Sequence, residues 1–223
     1  MSAAGFVVGE YIEGEDWEII VRWLEDKQII GFHTYSGQDI FGMPMEAFVA
    51  DIIKGKESVE DLVTTYRQTG RYFRFPFLHY AQDARARTAI VDRLIDQGIR
   101  IAHVSVTVED FVFNLSLEKV LKRGDSLGLG RLRQEYLEHF RERLAYAERL
   151  AAEVAGRPIR HILQLRCNRI NSMFLFDILG ELSENGYGFI SLRDALRDKI
   201  YRKEESYFGP RGYSYLERIK NSE

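Results

Sequence analysis

Short apolar runs alternate with stretches of helical periodicity along most of the chain. Residues 6–8 form an apolar triplet bracketed by glycines, which is typical of a buried strand, and residues 28–32 predict a second strand. Between them, apolar residues recur three and four positions apart over 16–26, which predicts an amphipathic helix. This alternation indicates parallel βα units, arranged as either a doubly wound sheet or a barrel.

Local signals predict where the later elements begin and end. Ser58 and Asp61 resemble a capping box, which marks a helix start at 58. Gly98 is expected to cap the preceding helix, and the glycine-rich segment 124–130 is interpreted as a loop because it lacks the residues of a phosphate-binding motif. The pattern predicts helices over 44–54, 58–68, 83–97, 129–154, 172–184 and from 192, and strands over 71–77, 99–108, 159–165 and 188–191.

Composition and charge exclude several classes of protein. The 223 residues are 45% hydrophobic and 29% charged, as in an ordinary globular chain, and the length favours one domain over 1–223 with 200–223 as a C-terminal tail. A net charge of −3 disfavours a nucleic-acid binder. The single Cys167, expected to pack on a buried strand, excludes an intrachain disulfide and a Cys-based zinc site. No apolar run approaches the ~20 residues that span a bilayer.

The N-terminus lacks a basic segment followed by a long apolar core, so it is not a signal peptide as it stands. The protein is then either cytoplasmic or exported with its signal removed from this sequence. The residues do not choose between these two compartments.

Five segments of the chain carry one pattern, in the order Ile30-Gly-Phe-His-Thr-Tyr-Ser36, Arg71-Tyr-Phe-Arg-Phe-Pro-Phe77, Val106-Thr-Val-Glu-Asp-Phe111, His161-Ile-Leu-Gln-Leu-Arg-Cys-Asn168 and Gly186-Tyr-Gly-Phe-Ile-Ser-Leu192. In this order they resemble the polysaccharide deacetylase family (carbohydrate esterase family four). The resemblance extends from Phe6 to about Leu196 and implies an α/β fold, a distorted and incomplete (β/α) barrel. In this family a divalent metal ion, held by one Asp and two His, assists hydrolysis of a sugar acetamide. A second Asp acts as base, and a late His protonates the leaving amine.

The chain departs from the family pattern at positions that carry this chemistry. The family's first motif, with both Asp residues, is absent from the sequence, which as given begins after it. Gly37 stands where the second metal-binding His is expected, Thr107 replaces an Asp, and Arg166 replaces the late His. Arginine stays protonated and repels a metal ion. The resemblance therefore implies a catalytically inactive homologue without a metal cofactor. The alternative is a surviving hydrolase whose zinc, or another divalent metal, is held at a site rebuilt around His33.

Several residues of the family pattern remain. The retained Arg74 is expected to pair with Glu109 or Asp110. Phe77, Phe111 and Leu165 are the expected contacts to a carbohydrate ligand, although a protein-interaction role is equally compatible with an inactive barrel. If the chain begins at residue 1, strand 6–8 would present an open edge. We expect this edge to be covered by the tail 207–216 or by a second copy in a homo-dimer.

Overall fold

The strands pair only in parallel, as the alternation of strands and helices predicts. The computed structural model describes residues 1–12 and 16–222, and within them six strands form two sheets. The first sheet has the order β1 (Ala4–Val7), β2 (Ile29–Phe32), β3 (Tyr72–Phe73), β4 (Arg100–Ile101), and β5 (Val106–Thr107) pairs with β6 (Leu163–Gln164) in the second. The expected α/β class is confirmed.

Helices follow the strands and end largely where the sequence signals place their ends. Gly98, with φ of 64°, follows the helix that it was expected to end, and Gly156, with φ of 67°, follows the helix that ends at Ala155. Among the described residues, no helix combines the length and apolar character that crossing a membrane requires. The helices are α1 (Asp16–Glu25), α2 (Met45–Thr65), α3 (Ala84–Asp96), α4 (Asp110–Arg123), α5 (Ser126–Ala155), α6 (Arg169–Glu184), α7 (Leu192–Ala195) and α8 (Tyr215–Lys220).

The chain divides into two compact units, each with its own core. Unit 1 comprises Met1–His103, Ser191–Tyr213 and Glu217–Glu223, and unit 2 comprises Val104–Ile190 and Ser214–Leu216. In unit 1 the ring of Phe75 lies 4.8 Å from that of Phe73 and stacks on that of Phe48. In unit 2 the buried faces of α4, α5 and α6 enclose Tyr136 and Leu117. The single-domain interpretation stays a prediction.

The predicted break between two helices at 54–58 is wrong, because α2 continues through Gly55. A Cβ atom at Gly55 would lie 2.8 Å from backbone atoms of residues 33, 34 and 35. The glycine therefore lets the turn after β2 approach the helix, and the Tyr35 N–H donates to the Asp51 carbonyl at 2.9 Å. Ser58 caps nothing, since its hydroxyl donates to the Gly55 carbonyl one turn earlier.

Other differences concern segments where local propensity and tertiary context disagree. The predicted strand 99–108 is two strands in different sheets, and 188–191 forms no strand. The segment 124–130 is not a loop throughout: Gly124 ends α4 with φ of 64°, and Asp125 caps α5 by accepting the Gly128 N–H. Helix α4 had not been predicted. Its hydrophobic positions include Leu117, which is fully buried in the unit 2 core.

Strand β1 lies at one edge of the first sheet, as expected. The described contacts of the tail are made elsewhere. The Arg218 guanidinium stacks on the Tyr80 ring at 4.1 Å, Glu205 pairs with Arg87, and a Cβ at Gly212 would meet the Phe77 carbonyl oxygen. These polar and aromatic groups hold the end of the chain against residues 77–87, and the covering of β1 by the tail stays a prediction. The homo-dimer stays a prediction.

We predict opposite effects for the same substitution in two helices. Gly55→Ala should lower the free energy of unfolding by about 1–2 kcal/mol, because the clash with the 33–35 backbone outweighs the better helix propensity of alanine. Gly130→Ala in α5, where a Cβ meets nothing within 4 Å, should raise it by about 0.5–1 kcal/mol. Urea unfolding followed by circular dichroism measures both, and stabilisation by both variants would contradict the close-approach explanation.

Candidate functional site

His33 follows the carboxyl end of β2 and is held as a neutral imidazole. Its Nδ1 lies 2.7 Å from the backbone carbonyl oxygen of Arg74. Since a carbonyl only accepts, Nδ1 carries the proton and Nε2 carries the lone pair. Burial lowers the pKa of His33 to about 4, against the opposing effect of that hydrogen bond, so the ring is uncharged near neutral pH.

The turn after His33 favours glycine at position 37. Gly37 has φ of 68°, and its N–H donates to the buried Thr34 hydroxyl at 2.9 Å. The turn is anchored on α2, because the Ser36 N–H and hydroxyl both donate to the Asp51 carboxylate. A Cβ at position 37 would lie 3.1 Å from the Val8 side chain. A histidine here would carry both backbone strain and a steric contact.

Arg74 is buried and does not form the predicted carboxylate pair. Its Nε donates to the Ala102 carbonyl at 3.2 Å, and its guanidinium lies 3.9 Å from the centre of the Phe6 ring. Burial lowers the pKa of Arg74 to about 10, which still leaves it charged at neutral pH. The predicted partners, Glu109 and Asp110, take their described hydrogen bonds from other donors, so the pairing is wrong.

Phe77 lies on the surface of unit 1 in a strained segment. Phe77 and Leu78 have consecutive positive φ values of 56° and 57°, which side chains rarely adopt. The Phe77 ring is 61% exposed, and its centre lies 6.0 Å from that of His79. The His79 Nδ1–H donates to the Asp39 carboxylate at 2.8 Å, and the His79 ring meets the Phe41 ring edge-on at 5.2 Å. This segment presents an exposed aromatic surface.

In unit 2, Asp110 is fully buried at the start of α4 and is saturated by donors. The Arg166 N–H and the Asn171 Nδ2 donate to Oδ2 at 2.7 and 2.8 Å, and the Arg166 Nη1 donates to Oδ1 at 2.8 Å. The Arg166 guanidinium also lies 4.9 Å from the centre of the Phe111 ring. Arg166 is therefore held in a fixed ion pair, and the Asp110 carboxylate is engaged in structure.

The position occupied by Thr107 is likewise engaged by an arginine. Arg143 of α5 donates from Nε to the Thr107 carbonyl at 3.0 Å and from Nη2 to its hydroxyl at 3.1 Å. Glu109 lies 2.6 Å from His139 Nε2 and 3.7 Å from the Arg143 Nε. The Glu109 carboxylate, two residues after Thr107, is thus paired within unit 2.

The remaining expected site residues have mixed environments. Phe111 is 47% exposed and available to a ligand. Leu165 is half-buried and packs on the unit 2 core. Cys167 is exposed, so its predicted packing role is wrong: β6 ends at Gln164 and leaves residues 166 and 167 outside the sheet.

The donor set does not fit a family-type metal centre. Among residues 1–12 and 16–222, no group of three or more His, Cys, Asp or Glu side chains is placed to hold a metal ion. Gly37 offers no donor atom, and the Asp110 oxygens are occupied. His33 still offers one possible metal ligand. Its Nδ1 carries the proton that is donated to the Arg74 carbonyl, so its Nε2 keeps a lone pair.

Asn171 is the residue of this cluster that sequence reasoning missed. Its Nδ2 donates to Asp110 and to the Arg166 carbonyl, and its Oδ1 accepts the Tyr136 hydroxyl. Asn168 has a structural role, since its Oδ1 caps α6 by accepting the Asn171 N–H at 3.1 Å. The signal in the sequence that could have found this residue is the Asn171 amide itself, which stands among apolar residues in the pattern of α6.

Comparisons with known proteins find one family model and several solved structures that are similar to this chain. A family model described as polysaccharide deacetylase matches residues 1–94. No significant match was found among curated proteins. Among solved structures, the wild-type CE4 family pseudoenzyme BA3943 from Bacillus anthracis is similar at 14% identity and a TM-score of 0.53, covering 88% of this chain and 56% of its own. A mutant of the same pseudoenzyme reaches a TM-score of 0.58 with 57% of its chain covered.

A protein named as a peptidoglycan deacetylase also has a similar fold. The peptidoglycan deacetylase PdaC from Bacillus subtilis is 14% identical with a TM-score of 0.54, covering 90% of this chain and 79% of its own. These likenesses confirm the expected deacetylase-type α/β fold. The chain spans little more than half the length of the first pseudoenzyme structures.

We predict that the Asp110 cluster is rigid and essential for stability. Asp110→Asn should lower the free energy of unfolding by about 2–4 kcal/mol, because one amide oxygen cannot accept from three donors and the new NH₂ faces other donors. Asp177→Asn removes a largely exposed pair with Arg133 and should cost less than about 1 kcal/mol. Urea unfolding compares the two, and equal small effects would contradict the rigid cluster.

Proposed function

We propose that the chain, whose residues 1–94 match a polysaccharide deacetylase family model, is a member of that family that does not hydrolyse amides and acts by binding carbohydrate. The observation that carries the first part is the ion pair between Arg166 and the buried Asp110. A permanently charged arginine replaces the proton-donating histidine that the family pattern expects, and its pairing fixes it in that position. Two further replacements, Gly37 and Thr107, support the proposal independently.

Relatives support this proposal by analogy. BA3943 is named as a pseudoenzyme, and a mutant of it is described as having restored enzymatic activity. Such a protein keeps the family fold while its chemistry is altered at individual positions. In the present chain, Gly37 is favoured by a positive φ and Thr107 is bound by Arg143, so each replacement has a structural role of its own.

The alternative is a surviving metal-dependent hydrolase that removes N-acetyl groups from amino-sugar polymers. It is favoured by one observation, the Nε2 lone pair of the neutral His33, which is the form that binds a metal ion. Metal content distinguishes the two proposals without reference to activity.

We predict no metal-dependent deacetylation. After zinc loading and dialysis, elemental analysis should find less than about a tenth of an equivalent of zinc, because the residues present do not fit a family-type metal site. Such a site saturates readily, so a low zinc content is informative. The chain should release no acetate from peptidoglycan or N-acetylglucosamine oligomers while PdaC, the positive control on peptidoglycan, does. Near one equivalent of zinc that is lost in His33→Ala, together with chelator-sensitive acetate release, would establish the hydrolase instead.

We also predict that the two exposed rings contribute to carbohydrate binding. Phe77→Ala and Phe111→Ala should each weaken the binding of N-acetylglucosamine oligomers about fivefold to tenfold, since an aromatic contact contributes roughly 1 kcal/mol beyond its buried area. Phe176→Ala, at an 84% exposed ring on α6, is the matched control and should change affinity less than about twofold. Titration calorimetry measures all three. Absence of binding, or an equal loss in the control, would overturn the carbohydrate-binding part.

A further inference from the structure

A cavity of about 540 Å³ in unit 1 contains none of the residues aligned with the family's catalytic positions. Arg71, which precedes β3, and Arg100, which begins β4, line one side. His33 and Arg74 instead follow the carboxyl ends of β2 and β3. The volume lies within the range of roughly 300–1,000 Å³ that is usual for small-molecule sites.

The charged lining of this cavity consists of five arginines, Arg71, Arg100, Arg193, Arg197 and Arg202. Arg197 pairs with Asp194 at 2.9 Å. Within the described parts of the chain, the other four form no ion pair with a carboxylate, and no acidic residue is part of the lining. Arg100 donates to the Leu196 carbonyl, and the buried Nε of Arg71 has no hydrogen-bond partner. The cavity therefore carries unbalanced positive charge.

The arginines are close enough to repel one another. Burial lowers the pKa of Arg100, and the charges of Arg71, Arg202 and Arg197 lower it further, against an opposing effect of Tyr72. Like charges that lie close together in a partly buried cavity raise the free energy of the folded protein. A bound anion removes this repulsion.

Apart from His103 and Tyr201, the rest of the lining is apolar. Val91, Leu94 and Ile95 of α3 face the cavity together with Ile99 and Leu196. Ile95 is 66% exposed, which leaves hydrophobic surface next to the charged groups. A ligand with an organic body beside its anionic group would cover both surfaces.

We propose that this cavity binds a small organic ligand that carries phosphoryl groups with a total charge of at least −2. The planar guanidinium group matches the oxygens of a phosphoryl group with two parallel hydrogen bonds. A monocarboxylate would leave three of the four unpaired arginines uncompensated, whereas a phosphomonoester or diphosphate balances two or more. The apolar wall contacts the organic part.

Calorimetric titration of the full chain with pyrophosphate, inorganic phosphate and phenyl phosphate tests this site. In 50 mM NaCl we expect saturable binding of pyrophosphate, binding of phenyl phosphate at least about threefold tighter than that of inorganic phosphate, and weakening of all three in 300 mM NaCl. No saturable pyrophosphate binding at millimolar concentration would overturn the proposal, as would equal affinity for phenyl and inorganic phosphate.

Paired variants test the location. Arg193→Gln/Arg202→Gln changes two exposed arginines of the cavity and should weaken pyrophosphate binding at least about tenfold. Arg85→Gln/Arg93→Gln makes the same change of net charge at exposed positions of α3 outside the lining, and should change affinity less than about twofold. Ile95→Glu adds a carboxylate at an exposed position of the wall and should weaken binding at least about tenfold, with an unchanged circular dichroism spectrum. An equal loss in the two double variants would show a general charge effect and overturn the site.

Discussion

The buried Asp110 carboxylate is the constraint on which the candidate site depends. A carboxylate removed from water must be met by donors, and here Arg166 and Asn171 supply three. These bonds connect the start of α4 with the segment between β6 and α6. Tyr136 extends the network through its bond to Asn171 into the apolar core of unit 2. Any change at position 166 is therefore also a change in how α4 and α6 are held.

The three positions at which the sequence departs from the expected family pattern are engaged in the structure in three different ways. Arg166 neutralises a buried acid, Thr107 accepts two hydrogen bonds from Arg143, and Gly37 adopts a backbone conformation that other residues strain to reach. Each replacement satisfies a local physical requirement. Restoring the family residues at positions 166 and 37 would leave Asp110 without the Arg166 guanidinium and would strain the turn that follows His33.

The first sheet of unit 1 has polar features at both ends of its strands. His33 and Arg74 follow the carboxyl ends, where the fold places the residues that match the family's motifs. The arginine-lined cavity includes residues at the opposite ends of β3 and β4. A chain without the family's full catalytic set thus retains two chemically distinct surfaces, one with an exposed aromatic ring and one with unbalanced positive charge.

Hydrophobic periodicity by itself determined most elements, because amphipathic helices and apolar strands bury one face in any α/β fold. The glycine signal placed Gly98 at a helix end, and the order of the motifs marked positions 33, 37, 107 and 166 as those to compare with the family pattern. Only the tertiary structure decided that α2 passes through Gly55, since the reason is the approach of a backbone segment twenty residues away. It alone assembled Asp110 with Asn171 and brought Arg71, Arg100 and Arg202 to one cavity. Such groups are distant in sequence, and the burial and charge that give them a role arise only when the chain has folded.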